Sequence, residues 1–355
     1  MLRAHFISTS LKSFWYAVGL AGLSLVAQSS TADSNYDSDS FTVALWGDQF
    51  YSENNELKGL RTQQIIDSMN AHGLAFTLYT GDTKAGHSEC TDQAIGTDIQ
   101  NVFNALNTPS IYSLGDNEWT DCHRTSNGSY DPLERLSYLR KTFFATNQSQ
   151  GKSPLNLTRQ SKNGGAYSEN SRFVRDDVMF VSLSIPGSNN NLVLTKKQCS
   201  KESKRTAADC KAATEEYEGR NAANLDWLTA AFEEAKANDY QGLVALIQAD
   251  IFFPFELSDG GFEDDFIASL TADNGYAAFY QMLEHQTKSF EGEVLLVHGD
   301  SHYFKIDKPM YAEDGRLQHN FTRIQVFGDK DNSWVKLTVA PKSKNLFVLT
   351  PVILR

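Results

Sequence analysis

From residue 40 onward, short apolar runs alternate with stretches whose apolar positions recur at helical spacing. The runs at 41–46, 74–79, 110–114, 178–185, 243–248 and 294–298 read as strands. Between the first two, Leu57, Leu60, Ile65, Ile66 and Met69 keep a helical period, and Gly73 supplies the stop. Asp131-Pro132-Leu133-Glu134 opens a second helix: Asp131 can cap it, Pro132 suits the first turn, and Glu134 completes a capping box. A third helix over 225–236 carries Leu225, Leu228, Ala231 and Phe232 on one face. Three further β segments are predicted at 322–327, 334–339 and 347–352. No internal repeat or low-complexity linker interrupts the pattern, and the polar stretches 147–165 and 187–219 read as loop insertions. The expectation is one α/β domain over 33–355 with a β-rich finish.

Composition narrows the partners. With 41% hydrophobic and 21% charged residues, the chain is not of the mostly disordered kind. A net charge of −12 counts against a nucleic-acid-binding surface or an anionic membrane partner, both of which require a basic face. It does not exclude a phosphate substrate, because metal ions can reverse the field inside a cleft.

The first 32 residues have the grammar of a signal peptide. Arg3 and Lys12 precede an uncharged, mostly apolar run at 14–27, and Ser30 and Ala32 sit at the −3 and −1 positions before Asp33. Cleavage after Ala27 is the second choice. An uncleaved anchor is disfavoured, because the run is shorter than the roughly 20 residues a spanning helix needs. No second segment of spanning length follows, so no membrane span is expected once the leader is removed. Four cysteines suit an oxidising compartment. Cys199 and Cys210 share one Lys-rich polar loop and are favoured as a pair by proximity, which leaves Cys90 with Cys122. Free buried thiols are the alternative; a zinc site lacks any C-x-x-C pair.

The chemistry gathers where strands end. In open α/β sheets ligands bind beyond the C-terminal ends of strands. The first strand runs into Trp46-Gly47-Asp48, the second into Gly81-Asp82-Thr83-Lys84, and the third into Gly115-Asp116-Asn117-Glu118. The strand near 245 ends in Gln248-Ala249-Asp250, and the strand at 294–298 ends in His298-Gly299-Asp300-Ser301-His302. One Gly-Asp after a strand is an ordinary turn. Four of them, plus a His-rich loop, bring carboxylates together, and such groups repel unless cations neutralise them.

This order resembles the calcineurin-like metallophosphoesterase superfamily, over about residues 41–305. The runs Gly81–Gly86, Gly115–Arg124 and His298–Tyr303 are similar to an exported bacterial branch of it. The resemblance implies a four-layer αββα sandwich with two divalent metal ions at the strand ends. Asp82 would bridge them, with Asp48 on one ion, Asp116 on the other, and His302 as the last histidine ligand. The chain departs from the family pattern at several points. Phe50 replaces a histidine ligand, Asp116 the usual Asn, Asn117 the His usually assigned as general acid, Gln248 the lone His, and Asp300 a further His. Asp250, two residues past Gln248, is the substitute donor there. Oxygen thereby replaces nitrogen, which favours Mg²⁺, Mn²⁺ or Ca²⁺ over Zn or Fe.

His123 and His298 are candidates to protonate a leaving alkoxide, since imidazole titrates near neutral pH; both also read as ordinary surface or core histidines. Lys84 can steady a phosphate oxygen or simply be a solvated lysine. Trp46 and Trp119 read as packing residues. The resemblance implies hydrolysis of a phosphomonoester or phosphodiester by a secreted or periplasmic enzyme, its partner a phosphorylated small molecule or phosphodiester. The alternative is an inactive exported protein that binds metal or phosphate. The oligomeric state is open.

Overall fold

The structure, a computed structural model, describes residues 40–252, 274–312 and 314–354. The leader at 1–32 lies outside the described residues. Strand β1 (Phe41–Trp46) runs parallel to β2 (Phe76–Tyr79), which runs parallel to β3 (Ser110–Tyr112). On its other side β1 pairs antiparallel with β11 (Trp334–Val339), and β11 with β12 (Phe347–Val352). The second sheet is built around β6 (Val178–Ser182), β7 (Gly242–Leu246), β8 (Glu293–His298) and β10 (Phe321–Gln325), all parallel. Its margins are antiparallel: β4 (Thr158–Arg159) and β5 (Ser171–Arg175) at one side, β9 (Lys305–Asp307) at the other.

Helices α1 (Asn55–Asn70), α2 (Asp98–Ala105), α3 (Pro132–Phe143), α4 (Ala207–Ala237) and α5 (Ala277–Lys288) complete the α/β arrangement. Strand alternation decides where they bury their apolar faces. Ala44 and Trp46 point into a cluster with Ile65, Ile66 and Met69 of α1, Phe103 of α2 and Leu139 of α3. Val43 and Leu45 point the other way, into a cluster shared with Phe180, Val244, Leu246 and Val297 of the second sheet. The opposite face of that second sheet, through Val181, Ala245 and Leu296, packs on Leu228 and Phe232 of α4 and on Leu283 of α5. Among the described residues, no helix is long and apolar enough to cross a membrane.

Two expectations need correction. The polar stretch 187–219 is not loop throughout: α4 starts at Ala207, far ahead of the predicted residue 225, and runs for 31 residues. The part ahead of residue 225 buries Cys210, Ala213, Arg220 and Asn224, small or polar groups that give no hydrophobic period. Thr206 and Asp209 form a capping box at its start. The apolar run 178–185 also ends as a strand at Ser182: the Ser184 backbone bonds to the Asn170 and Arg220 side chains, while Leu183 and Ile185 stay in the apolar core.

Both disulfides are present, Cys90–Cys122 and Cys199–Cys210, with a sequence separation of 32 and 11. The first ties the loop after β2 to the loop after β3, and both of its sulfurs lie against the carbonyl of Asn117. Chain-entropy arithmetic makes the longer crosslink the larger stabiliser, at about 4 kcal/mol against about 3 kcal/mol for the shorter. The double replacement Cys90→Ser/Cys122→Ser should therefore lower the urea midpoint more than Cys199→Ser/Cys210→Ser; equal midpoints would show that loop length does not rank the two bridges.

Candidate metal centre

The parallel strands of both sheets end on one side, and their exits supply the acids. Asp48, Asp82 and Asp300 all take left-handed backbone, at φ 52°, 58° and 81°. Asp tolerates this region better than most residues, but it is still strained, and such strain persists where surrounding structure fixes it. Close approach explains two of the glycines. A Cβ on Gly115 would stand 2.1 Å from Asp82 Oδ1, and one on Gly299 would stand 2.0 Å from Asp48 Oδ2. No side chain fits at either position without moving a carboxylate.

The carboxylates of Asp82, Asp116 and Asp300 offer oxygens that lie within 4.8 Å of one another. Each is held by donors. Asn117 gives Asp82 two hydrogen bonds, from Nδ2 to Oδ2 (2.9 Å) and from its backbone N–H to Oδ1 (3.2 Å), and the Tyr51 hydroxyl adds a third at 3.1 Å. Asp116 faces the Ser188 hydroxyl at 2.7 Å and Gln248 Nε2 at 3.4 Å. Asp300 accepts from the Asp250 N–H at 3.1 Å, while its own N–H donates to Asp48 Oδ1 at 2.9 Å. His302 brings Nε2 to 3.6 Å from the same Asp48 oxygen, and its ring rests on Tyr51.

These acids sit where charge is costly. Burial, the neighbouring Asp116, Asp48 and Glu118, and then Asp300 hold the Asp82 carboxyl well above the usual carboxylate range. Asp48 is raised by burial and by Asp116 and Glu118, against the Asp300 N–H that stabilises its charge. Asp300 is raised by burial, then by Asp116 and Asp48. Burial pushes the Lys84 ammonium down, opposed by Glu118, Asp82, Asp121 and Asp116. Its Nζ donates to the Ala85 carbonyl at 3.1 Å. Among the described residues no lysine or arginine forms an ion pair with Asp82, Asp116 or Asp300, so the cluster has the charge, the spacing and the all-oxygen donors to hold a metal ion.

Of the other predicted residues only Gln248 touches the cluster with its side chain. The Asp250 carboxylate turns to the Ser301 hydroxyl and the Phe252 N–H, with Arg323 3.8 Å away, and only its backbone N–H reaches the cluster. Gln248 is fully buried and accepts from the Gly187 N–H while it touches Asp116. His298 is fully buried; Nδ1 lies 3.1 Å from the Gly299 carbonyl, and burial lowers its pKa to about 4. His123, lowered to about 3 by burial and then by Arg205 and Arg124, lies in an adjoining cavity. Both rings are therefore neutral at pH 7. Phe50 turns into the apolar cluster beside Trp46 and Tyr79, and Trp46 and Trp119 are fully buried.

Four participants escaped the sequence reading. Tyr51 and Ser188 reach the acids directly. Glu118 is buried and accepts from the Tyr112 hydroxyl and the Gly115 N–H, which shapes the third loop. Asp121 meets Ser188 at 2.7 Å and Arg124 at 2.6 Å. The signal for Ser188 is the Pro186-Gly187-Ser188 turn directly after an apolar run.

No family model matches this chain, and no curated protein matches it. Solved structures similar to it include GAP50, the anchor in the inner membrane complex of Plasmodium, at 11% identity and TM-score 0.44, covering 89% of each chain. A Thermus thermophilus sulfate thiohydrolase, SoxB, in complex with glycerol matches at 11% identity and TM-score 0.43, over 88% of this chain and 56% of that one. A 5'-nucleotidase from Candida albicans matches at 10% identity and TM-score 0.40, over 87% and 50%. The chain thus spans about half the length of the last two.

A carboxyl raised in the folded chain binds protons that the unfolded chain has released, so its stabilising share is present at low pH and lost as pH rises through the folded value. For Asp121 that window runs from 3.8 to about 7, and for Asp48, Asp82 and Asp300 the loss continues upward from the usual range. His298 has the opposite sign, but its window, from 6.5 down to about 4, closes below neutrality. Chelator-treated protein should therefore lose melting temperature as pH rises through about 7, and saturating Mn²⁺ should flatten the curve. Under chelation Asp82→Asn should melt higher than wild type. A flat wild-type curve without metal would contradict this account.

Proposed function

We propose that the chain is an exported, metal-dependent phosphoric ester hydrolase with the four-layer αββα architecture of the calcineurin-like type. The observation that carries this reading is the convergence of Asp82, Asp116 and Asp300 from the exits of both sheets. The order of the Gly-Asp loops along the chain supports it, as do the two disulfides, which suit an oxidising compartment. Asp82, Asp116 and Asp300 would hold one divalent ion, and Asp48 with His302, beside Asp82, would offer donors to a second. Bound there, Mg²⁺, Mn²⁺ or Ca²⁺ supplies Lewis acidity toward phosphate oxygens and lowers the pKa of water.

The chain's own residues set the rest. Asn117 and Tyr51 fix the Asp82 carboxylate, while Ser188 and Gln248 fix Asp116. Burial keeps the Tyr51 hydroxyl protonated, so it stays a donor to Asp82. Lys84 is the cation left to offset charge growing near Asp82. Neither His123 nor His298 carries a proton to give at neutral pH. Leaving groups that depart without protonation are then favoured, which makes an aryl ester a better substrate than an alkyl ester. The same neutral histidines, with Phe50 turned into the core, favour a second reading: an exported protein that binds metal or phosphate without turnover.

Elemental analysis of the purified chain and an aryl phosphate assay with added Mn²⁺ test both readings. Hydrolysis should require metal, fall by about 100-fold or more in Asp82→Asn, and favour aryl over alkyl esters by a similar factor. Stoichiometric metal with no hydrolysis across mono- and diesters selects the binding protein; no metal at all removes the hydrolase and the metal binder and leaves phosphate binding as the surviving reading.

A further inference from the structure

Beside the carboxylates lies a cavity of about 390 Å³ whose walls include Asp121, His123, Arg124, Ser188, Lys201 and Arg205. Two loops form it and are tied together. The Thr125 N–H donates to the Glu202 carbonyl at 2.8 Å, and the Ser203 hydroxyl donates to the His123 carbonyl at 3.2 Å. The Cys199–Cys210 bridge closes the second loop. The backbone that carries its basic groups is thus fixed at the cavity wall.

Their charges are unevenly answered. Arg124 spends one nitrogen on Asp121 (2.6 Å) and points another at the Ser188 hydroxyl (3.3 Å). The half-buried Arg205 guanidinium donates to the carbonyls of Cys199 and Gln198, both at 3.3 Å, and among the described residues it has no carboxylate partner. Lys201 is exposed at the wall, with no ion pair among the described residues. His123 Nδ1 is buried without a hydrogen-bond partner. The opposing acids are Asp121, taken up by Arg124, and Glu202. Three cations against two carboxylates leave a positive lobe on a chain of net −12. One hydroxyl separates that lobe from the centre, since Ser188 Oγ lies 2.7 Å from Asp116.

We infer that this cavity is an anion subsite that receives the second phosphate of a doubly phosphorylated small-molecule substrate. Two guanidiniums and an ammonium line one wall system, and together they offer more N–H donors than a planar carboxylate can accept, which suits a group with several acceptor oxygens. The volume admits a small molecule. The inference rests on the phosphoesterase reading only for the first phosphate, the one placed at the carboxylates.

Calorimetric titration of the chelator-treated full chain with inorganic phosphate isolates the subsite, because without metal the centre repels anions. Saturable binding is expected, weakened about fivefold in Lys201→Glu and about tenfold in Arg205→Gln. Lys201 is exposed, so its variant tests the lobe even where Arg205→Gln disturbs the loop. Succinate binding as tightly as phosphate overturns the phosphate assignment. Absent binding, or unchanged affinity in both variants, overturns the subsite. Lobe-dependent phosphate binding in a chain that hydrolyses nothing when loaded with metal supports the subsite and overturns only the phosphoesterase reading.

Discussion

Like charges held in a place with little water govern this molecule. Asp48 and Asp82 are almost wholly buried, Asp116 nearly so, and Glu118 is sealed behind them. Each ionised carboxylate removed from water costs several kcal/mol unless it is compensated. Hydrogen bonds from Asn117, Tyr51, Ser188 and two backbone N–H groups compensate in part, and they also fix where the oxygens point. What remains uncompensated is relieved either by protons or by a cation. The arrangement sacrifices stability for a prepared set of oxygens, a common trade at functional sites.

The second sheet contributes through an unusual backbone. Ser188, Asn189, Asn190 and Asn191 are all left-handed, at φ 49° to 66°. L-residues resist this conformation by roughly 1–2 kcal/mol each, and Asn resists least. Buried polar contacts hold the turn: Arg220 reaches the Asn190 carbonyl and side chain, Asn189 and Asn190 bond to Gly275, and Asn191 reaches Glu216. This network delivers Ser188 to Asp116, and it accounts for the polar buried face of α4.

That face also explains what the sequence reading could and could not reach. Strands with continuous apolar runs, such as β1 and β8, were legible because both faces of each sheet are covered. The acid loops were legible because Gly and Asp recur at strand exits. The part of α4 ahead of residue 225 was not, since Arg220 and Asn224 are buried by hydrogen bonds rather than by hydrophobicity. Asp250 showed how spacing misleads: its position in the loop is right, yet its carboxylate turns toward Ser301 and Arg323 while its backbone does the local work. Residues two apart in an irregular loop have no fixed direction, so only coordinates separate them.

The order of the first sheet carries a consequence for how the molecule comes into being. β1 pairs with β2 nearby in sequence, but its other neighbour is β11, nearly three hundred residues downstream. Such pairings close late, because the entropy of a long loop must be overcome before the contact rewards it. During synthesis the strand that leads into Asp48 therefore has one open edge until almost the whole chain has emerged. Asp300, which follows β8, likewise joins Asp82 and Asp116 only once most of the chain has been made. The full repulsion among these acids thus opposes a late stage of assembly, when much of the apolar core is available to outweigh it.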